Sequence, residues 1–224
     1  EIMGRGKKGK YYLYQMHDIE YTVCDDYNGV FDGSEEIAMK AGGKERLGAL
    51  EYLKTHIHGL NVALTATIDY AGFRVVASST VPTKHITFND EGEIRKISEE
   101  RVHGLTPDGN YFTNKNKRAD NLLMQVSNKL NLTSSFVKGL RDPLGVETSA
   151  SSEIQVYKGT DNEFYASNFW KAFPSECPEF TPHLWRSPRD QTVFWRQFRP
   201  EFCRQYDHGD LSPNALLWCT HRTQ

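Results

Sequence analysis

The stretch KGTDNEFYASNFWKAFP, from Lys158 to Pro174, groups residues that could handle a phosphate. It reads as a tight β-hairpin running into aromatics. In many phosphate-handling folds such a hairpin ends in an Asp that holds Mg²⁺, because the metal neutralises the charge of a transferring phosphoryl group. Here that position is Asn168. An Asn keeps some ligand ability but loses the negative charge. Lys158, Asp161 and Asn168 would form the remnant of such a nucleotide site. The structural alternative is a hairpin whose Phe164, Phe169, Trp170 and Phe173 pack inward. The two differ in what they require. A nucleotide needs a cleft lined by Lys158, Asp161 and Asn168, with a lysine reaching in from another hairpin. The structural reading needs a closed, aromatic-filled interior.

A second group lies further on. Trp185, Arg186, Arg189, Trp195, Arg196, Arg199 and Arg204 interleave arginine with aromatic planes, and only Asp190 and Glu201 oppose the five arginines. Guanidinium groups pair with phosphates and aromatic planes stack on bases, which suits single-stranded RNA. Trp and Arg are also enriched at protein interfaces. The bland reading places the aromatics in the core and the arginines on a solvated face.

Other fragments are weaker. Gly4 to Lys10 fits GxxxxGK, but that loop needs a strand before it, a helix after it and a Ser or Thr for magnesium. Here only three residues precede it and a strand pattern follows. The segment is expected to be a flexible basic arm. His56-Ile-His58 and Cys219-Thr-His221 could be metal fragments. A composite site from Cys177, Cys203, Cys219 and His221 is conceivable, yet zinc sites need four ligands at defined spacings. No metal and no cofactor are expected. The four cysteines, Cys24 included, are far apart with no C-x-x-C, and no signal peptide is visible. This favours the reducing cytosol.

The elements that must position these groups follow from pattern. Tyr11 to Cys24 reads as one strand. Ser34 followed by Glu35 and Glu36 is a helix start. That helix is expected to end at Gly42-Gly43, and a second to run from Lys44 to His56 with Leu47, Leu50, Tyr52 and Leu53 as its apolar positions. Asn61 to Val81 reads as a hairpin closed by Asp69-Tyr-Ala-Gly72 and ended by Pro82. Its alternation predicts a core face of Val62, Leu64, Ala66 and Ile68, shared by Phe73, Val75 and Ala77. A shorter hairpin spans Phe88 to Ile97, and Thr106 to Gly109 is a turn. Ala119 to Leu130 is an amphipathic helix. Gln191 to Phe198 reads as strand, and Pro200 as the first position of a last helix. Hairpins mixed with helices predict an α+β domain of antiparallel hairpins packed with helices, not alternating βαβ units.

The chain has 224 residues, 38% apolar and 12% aromatic, with a net charge of −2. That is enough to bury a core and excludes a globally basic nucleic-acid binder, though not a local patch. No apolar run approaches membrane-spanning length, so no membrane insertion is expected. The chain begins at Glu1 without Met, and reads as a piece of a longer protein. Three regions are expected: an arm over 1–10, one domain over 11–206 and a C-terminal tail or helix over 207–224.

Three segments in order resemble the Clu domain of the clustered-mitochondria family. The first is GLNVALTATIDYAGFRVVASSTVP, Gly59 to Pro82, preceded by Asp18-Ile-Glu-Tyr and the acidic Asp25-Asp-Tyr turn. The second is Lys158 to Tyr165 with Phe173-Pro174. The third is Phe198-Arg-Pro-Glu-Phe202. The chain departs from the family pattern at Asn168, Lys171 and Ala172. The resemblance implies a large cytosolic protein, often with downstream helical repeats. It implies association with ribosomes and with messenger RNAs for mitochondrial proteins, and a role in mitochondrial distribution. It implies no established catalysis. The expected function is a non-catalytic scaffold or binding domain with messenger RNA, ribosome or protein partners. The alternative is a degenerate kinase-like domain that retains a nucleotide.

Overall fold

The computed structural model describes residues 13–16, 18–26, 34–88, 94–106, 109–176, 196–207 and 211–215. The observed architecture is α+β: two main sheets and a short two-stranded ribbon, with three helices among the described residues.

The first sheet has four antiparallel strands. β1 (Leu13–Met16) and β2 (Ile19–Val23) form a hairpin where one strand was expected, with Met16 opposite Ile19 and Asp18 left-handed at φ 60. Asp tolerates that backbone better than most residues, which is the local reason the chain can reverse there. Then comes α1 (Glu35–Lys54), followed by β3 (Leu60–Val62), β4 (Thr65–Tyr70) and β5 (Phe73–Ser79). The strand order is β1-β2-β5-β4. Ala71 and Gly72, both at positive φ, make a two-residue turn between β4 and β5, the geometry that matches strand twist.

The second sheet is built from β3 and four later strands, with one more attached. These are β6 (Lys84–Phe88), β7 (Ile94–Leu105), β8 (Phe112–Asn114), and, after α2 (Lys117–Leu130), β9 (Ser135–Val137) and β10 (Val146–Thr148), the strands β11 (Gln155–Lys158) and β12 (Phe164–Ser167). The order is β3-β12-β11-β7-β6, with β8 on β7, while β9 and β10 pair only with each other. β3 runs parallel to β12, so the chain enters this sheet for three residues before turning into the first. The last helix, α3 (Pro200–Gln205), begins at Pro200 as expected.

The core is continuous across these elements. Leu122, Leu123, Val126 and Leu130 of α2 pack with Ile154, Val156 and Phe164 of the hairpin region, with Tyr52 of α1, and with Phe169 and Phe173. α2 starts on the Asn116 side chain, which accepts from the N–H groups of Arg118 and Ala119, and stops at left-handed Asn131.

Two expectations are corrected. α1 does not break at Gly42-Gly43. It is one helix of 20 residues, capped by Ser34, which accepts from the Ile37 N–H. Each glycine costs a helix about 1 kcal/mol against alanine, but tertiary packing prevails. Gly42 abuts Cys24 and Val76, and Gly48 abuts Phe169 and Ala172, where no side chain fits. The buried face of α1 therefore runs through small residues, while Leu50 and Leu53 are exposed.

The β4–β5 hairpin pairs as expected, with Ala66 opposite Ala77 and Ile68 opposite Val75, so those residues share a face. That face is covered only in part: Ala77 is buried, but most of the face is open. Leu64, Ile68, Tyr70 and Phe73 are exposed. α1 meets the other side, where Arg74 donates to the Met39 carbonyl and Val76 meets Gly42. Alternation predicts which residues share a face, not which face is covered.

Candidate functional site

The Lys158–Pro174 stretch folds as the predicted hairpin. β11 and β12 pair from Gln155 opposite Ser167 to Lys158 opposite Phe164. Asn162, at φ 66, shapes the turn. Asp161 is used up locally: it accepts from the Glu163 N–H at 3.0 Å and from the Tyr165 hydroxyl at 2.6 Å. That hydroxyl bond holds the Asp161 carboxyl below its ordinary range. Asn168 lies beyond the opposite end of β12, four residues along from Phe164, the partner of Lys158, and so roughly 13 Å away along the strand at about 3.3 Å per residue. Its left-handed backbone, φ 65, suits an Asn, and its side-chain amide donates to the Glu153 carbonyl at 2.6 Å. The hairpin therefore holds Lys158 and Asp161 at one end and Asn168 at the other.

The aromatics fill the interior. Phe164, Phe169 and Phe173 are each 2% exposed or less, as expected of a structural hairpin. Phe169 packs on Tyr52 with centroids 4.9 Å apart. Trp170 differs: it is half-buried, and the Lys171 ammonium sits over its ring at 4.5 Å. Lys171 also reaches Glu153 at 3.4 Å.

Trp170 and Asn168 help line a cavity of about 490 Å³ between α1, β2, β5 and the hairpin. Its polar wall includes Cys24, Asp25, Glu45 and Gln155. Neither Lys158 nor Asp161 reaches it. Desolvation pushes the Glu45 carboxyl up to about 7, against the backbone N–H groups of Phe169, Trp170 and Asn168 that bond it. Burial pushes the Cys24 thiol up to about 11, outweighing the nearby Arg74 guanidinium. A thiol held protonated is a poor nucleophile at neutral pH. The described lining holds no histidine, lysine or arginine, and its acids suit hydrogen bonding more than anion recognition. Sequence reasoning missed Glu45 because a Glu within a helix pattern carries no signal of its tertiary partners.

The arginine–aromatic segment is described only in part. Trp185, Arg186, Arg189 and Trp195 lie outside the described residues, as do Cys177, Cys219 and His221. Gln197 bridges to Ser175 as an isolated β contact, the described remainder of the expected 191–198 strand. Arg199 is exposed at the start of α3; burial lowers the Lys44 pKa, Glu176 opposes this, and the Arg199 charge adds to it. Arg196 is half-buried. Arg204 is engaged in an ion pair with buried Glu51, which also takes Lys54 at 2.9 Å. Cys203 is a free, fully buried cysteine, and His56 and His58 are both exposed. Among the described residues no three His, Cys, Asp or Glu side chains group as a metal site, and no helix is long and apolar enough to cross a membrane.

The fold is an α+β domain whose hairpin buries Phe164, Phe169 and Phe173 and holds Lys158 and Asp161 away from Asn168. Comparison with known proteins places it further. The family model for clustered mitochondria matches residues 3–178. The chain belongs to the clustered-mitochondria family. It is 26% identical over 195 residues to a clustered mitochondria protein homolog of Debaryomyces hansenii, covering 84% of this chain and 14% of that relative. The chain thus spans about one seventh of that relative's length. No solved structure matches it.

Proposed function

We propose that this chain is a non-catalytic binding domain of a larger cytosolic protein that acts in mitochondrial distribution. The observation that carries the reading is the family match across residues 3–178. The physical support is the fate of the hairpin. Its aromatics are buried, its Asp161 is consumed by Glu163 and Tyr165, and its Lys158 and Asn168 stand apart. Such a hairpin positions structure, not phosphate.

Within that reading, the binding surface is the segment around Arg196 and Arg199, and the partner is single-stranded RNA of the messenger or ribosomal kind. Arg199 is exposed at the N-terminus of α3, next to Lys44 in charge. Phosphate contacts release counterions, so affinity should fall steeply with salt. The test is titration of single-stranded RNA into wild type and an Arg196→Ala/Arg199→Ala double variant at low and moderate salt. Weaker binding of the variant, alike for all RNA sequences, supports phosphate contact there. Equal affinity, or no salt slope, removes RNA from this surface and leaves a protein partner.

A further inference from the structure

The β9–β10 ribbon carries an unusual tip. Phe136 is 75% exposed, Leu140 85% and Leu144 77%. One exposed leucine means nothing, because much of any protein surface is apolar. Three large apolar side chains held this far into water within nine residues gather apolar surface at one end of the ribbon, and concentrated exposed apolar surface marks contact sites.

The tip is also rigidly built. The Asp142 Oδ2 accepts from the N–H groups of Gly139 and Phe112, each at 2.7 Å. The Leu140 N–H donates to the Gly109 carbonyl at 3.0 Å, and the Arg141 N–H to the Asn110 carbonyl at 2.9 Å. Gly139 is pressed against the backbone of Asn110 and Tyr111, leaving no room for a Cβ. The backbone is thus tied down while the apolar side chains face outward.

Charge is arranged around them. Val137 points inward, so its neighbours Phe136 and Lys138 both point out. Arg141 follows Leu140 at the tip. Among the described residues neither Lys138 nor Arg141 has an ion-pair partner. The acid of the tip, Asp142, turns inward to the two amides, and Glu147 lies back along the ribbon, bonded by the Ser134 hydroxyl at 2.5 Å.

We propose that this knuckle is a peripheral docking element for an anionic lipid bilayer. Phe136, Leu140 and Leu144 enter the boundary between headgroups and acyl chains. Lys138 and Arg141 lay their apolar stems along that boundary and meet lipid phosphates with their charged ends. Lys138 and Arg141 beside the three apolar side chains match the charge of an anionic lipid surface, and a fluid bilayer needs no preformed complementary shape. The fixed backbone removes most of the ordering cost of binding. No segment spans the membrane in this arrangement.

The test is cosedimentation of the 224-residue chain with vesicles of phosphatidylcholine alone and of phosphatidylcholine mixed with phosphatidylserine. Wild type should bind the mixed vesicles and bind the neutral ones weakly. Leu140→Asp/Leu144→Asp should lower binding by about tenfold or more, and Lys138→Glu/Arg141→Glu by a similar factor that raised salt also produces. Circular dichroism checks that the variants fold. Should either fail to fold, a Leu140→Trp variant decides: its emission should shift to the blue with mixed vesicles. Wild type that stays in the supernatant, folded leucine variants that bind as well as wild type, or an unshifted tryptophan overturns the proposal and leaves the knuckle to a protein partner.

Discussion

Gly48 faces Phe169 so closely that a Cβ on the helix would stand 2.5 Å from the Phe169 carbonyl oxygen. The obstacle is backbone, so it cannot swing away. This contact ties α1 to the chain just after β12 and explains a glycine in mid-helix. Gly48→Ala should therefore destabilise by about 1–3 kcal/mol despite alanine's better helix propensity. At Gly43 the same Cβ would meet only the flexible end of Arg74 at 3.4 Å. Gly43→Ala should be neutral or stabilising by up to about 1 kcal/mol. Urea midpoints of both variants measure the contrast, and a Gly48→Ala midpoint at or above wild type would refute the close approach.

An exposed leucine beside β4 and a buried leucine of α2 make a second contrast. Leu64 is 68% exposed, whereas Leu123 is fully buried against the sheet. Leu123→Ala should cost about 2–5 kcal/mol, and Leu64→Ala no more than about 0.5 kcal/mol. Denaturant titration of both distinguishes a solvent face from a core face. A large loss at Leu64 would mean that something covers it.

Much of the fold was legible because its signals are local. Ser34 caps a helix, Asp69 to Gly72 turns a hairpin, and α2 shows its apolar stripe at helical spacing. What was not legible depends on tertiary contact. Gly42-Gly43 looked like a helix stop because Cys24 and Val76, which require a glycine at position 42, are distant in sequence. Leu64 looked like core because alternation is blind to where the helix lies. The separation of Asn168 from Lys158 and Asp161 was implicit in the hairpin register, but the Glu45 contact to the Asn168–Trp170 backbone was not.

His103 and Glu45 pull stability in opposite directions with pH. His103 is fully buried beside Phe112, with the Ser151 backbone and Asn114 as polar neighbours, and burial pushes its imidazole from 6.5 down to about 4. The unfolded chain binds this proton first, so stability falls as pH drops from about 6.5 towards 4, by about 3 kcal/mol in all. Glu45 is shifted from 4.5 up to about 7. Its unfolded form ionises first, so its contribution is complete below about 4.5 and is lost as pH rises through 7. Unfolding free energy measured against pH should peak between these limits. His103→Gln should flatten the acid limb and Glu45→Gln the neutral limb. An acid limb unchanged by His103→Gln would show that another group drives it.

The Glu51–Arg204 pair bears on where RNA could bind. Glu51 is 1% exposed and is held by Arg204 and Lys54, tying α3 to α1. Breaking a buried pair leaves an uncompensated charge, which costs about 3–5 kcal/mol when both partners are buried. Arg204 is 35% exposed and Lys54 remains, so water and the lysine recover part of this. Arg204→Ala should still cost about 1–2 kcal/mol, the lower part of the range for single substitutions. Arg199→Ala, on an exposed residue, should change stability by less than about 0.5 kcal/mol. The two arginines then separate in function. Arg199→Ala should lower RNA affinity without moving the urea midpoint, while Arg204→Ala should lower the midpoint with little effect on RNA affinity under folded conditions. Measuring both quantities on both variants is the check. An Arg204→Ala protein of unchanged stability and weakened RNA binding would mean that Arg204 serves phosphate rather than Glu51.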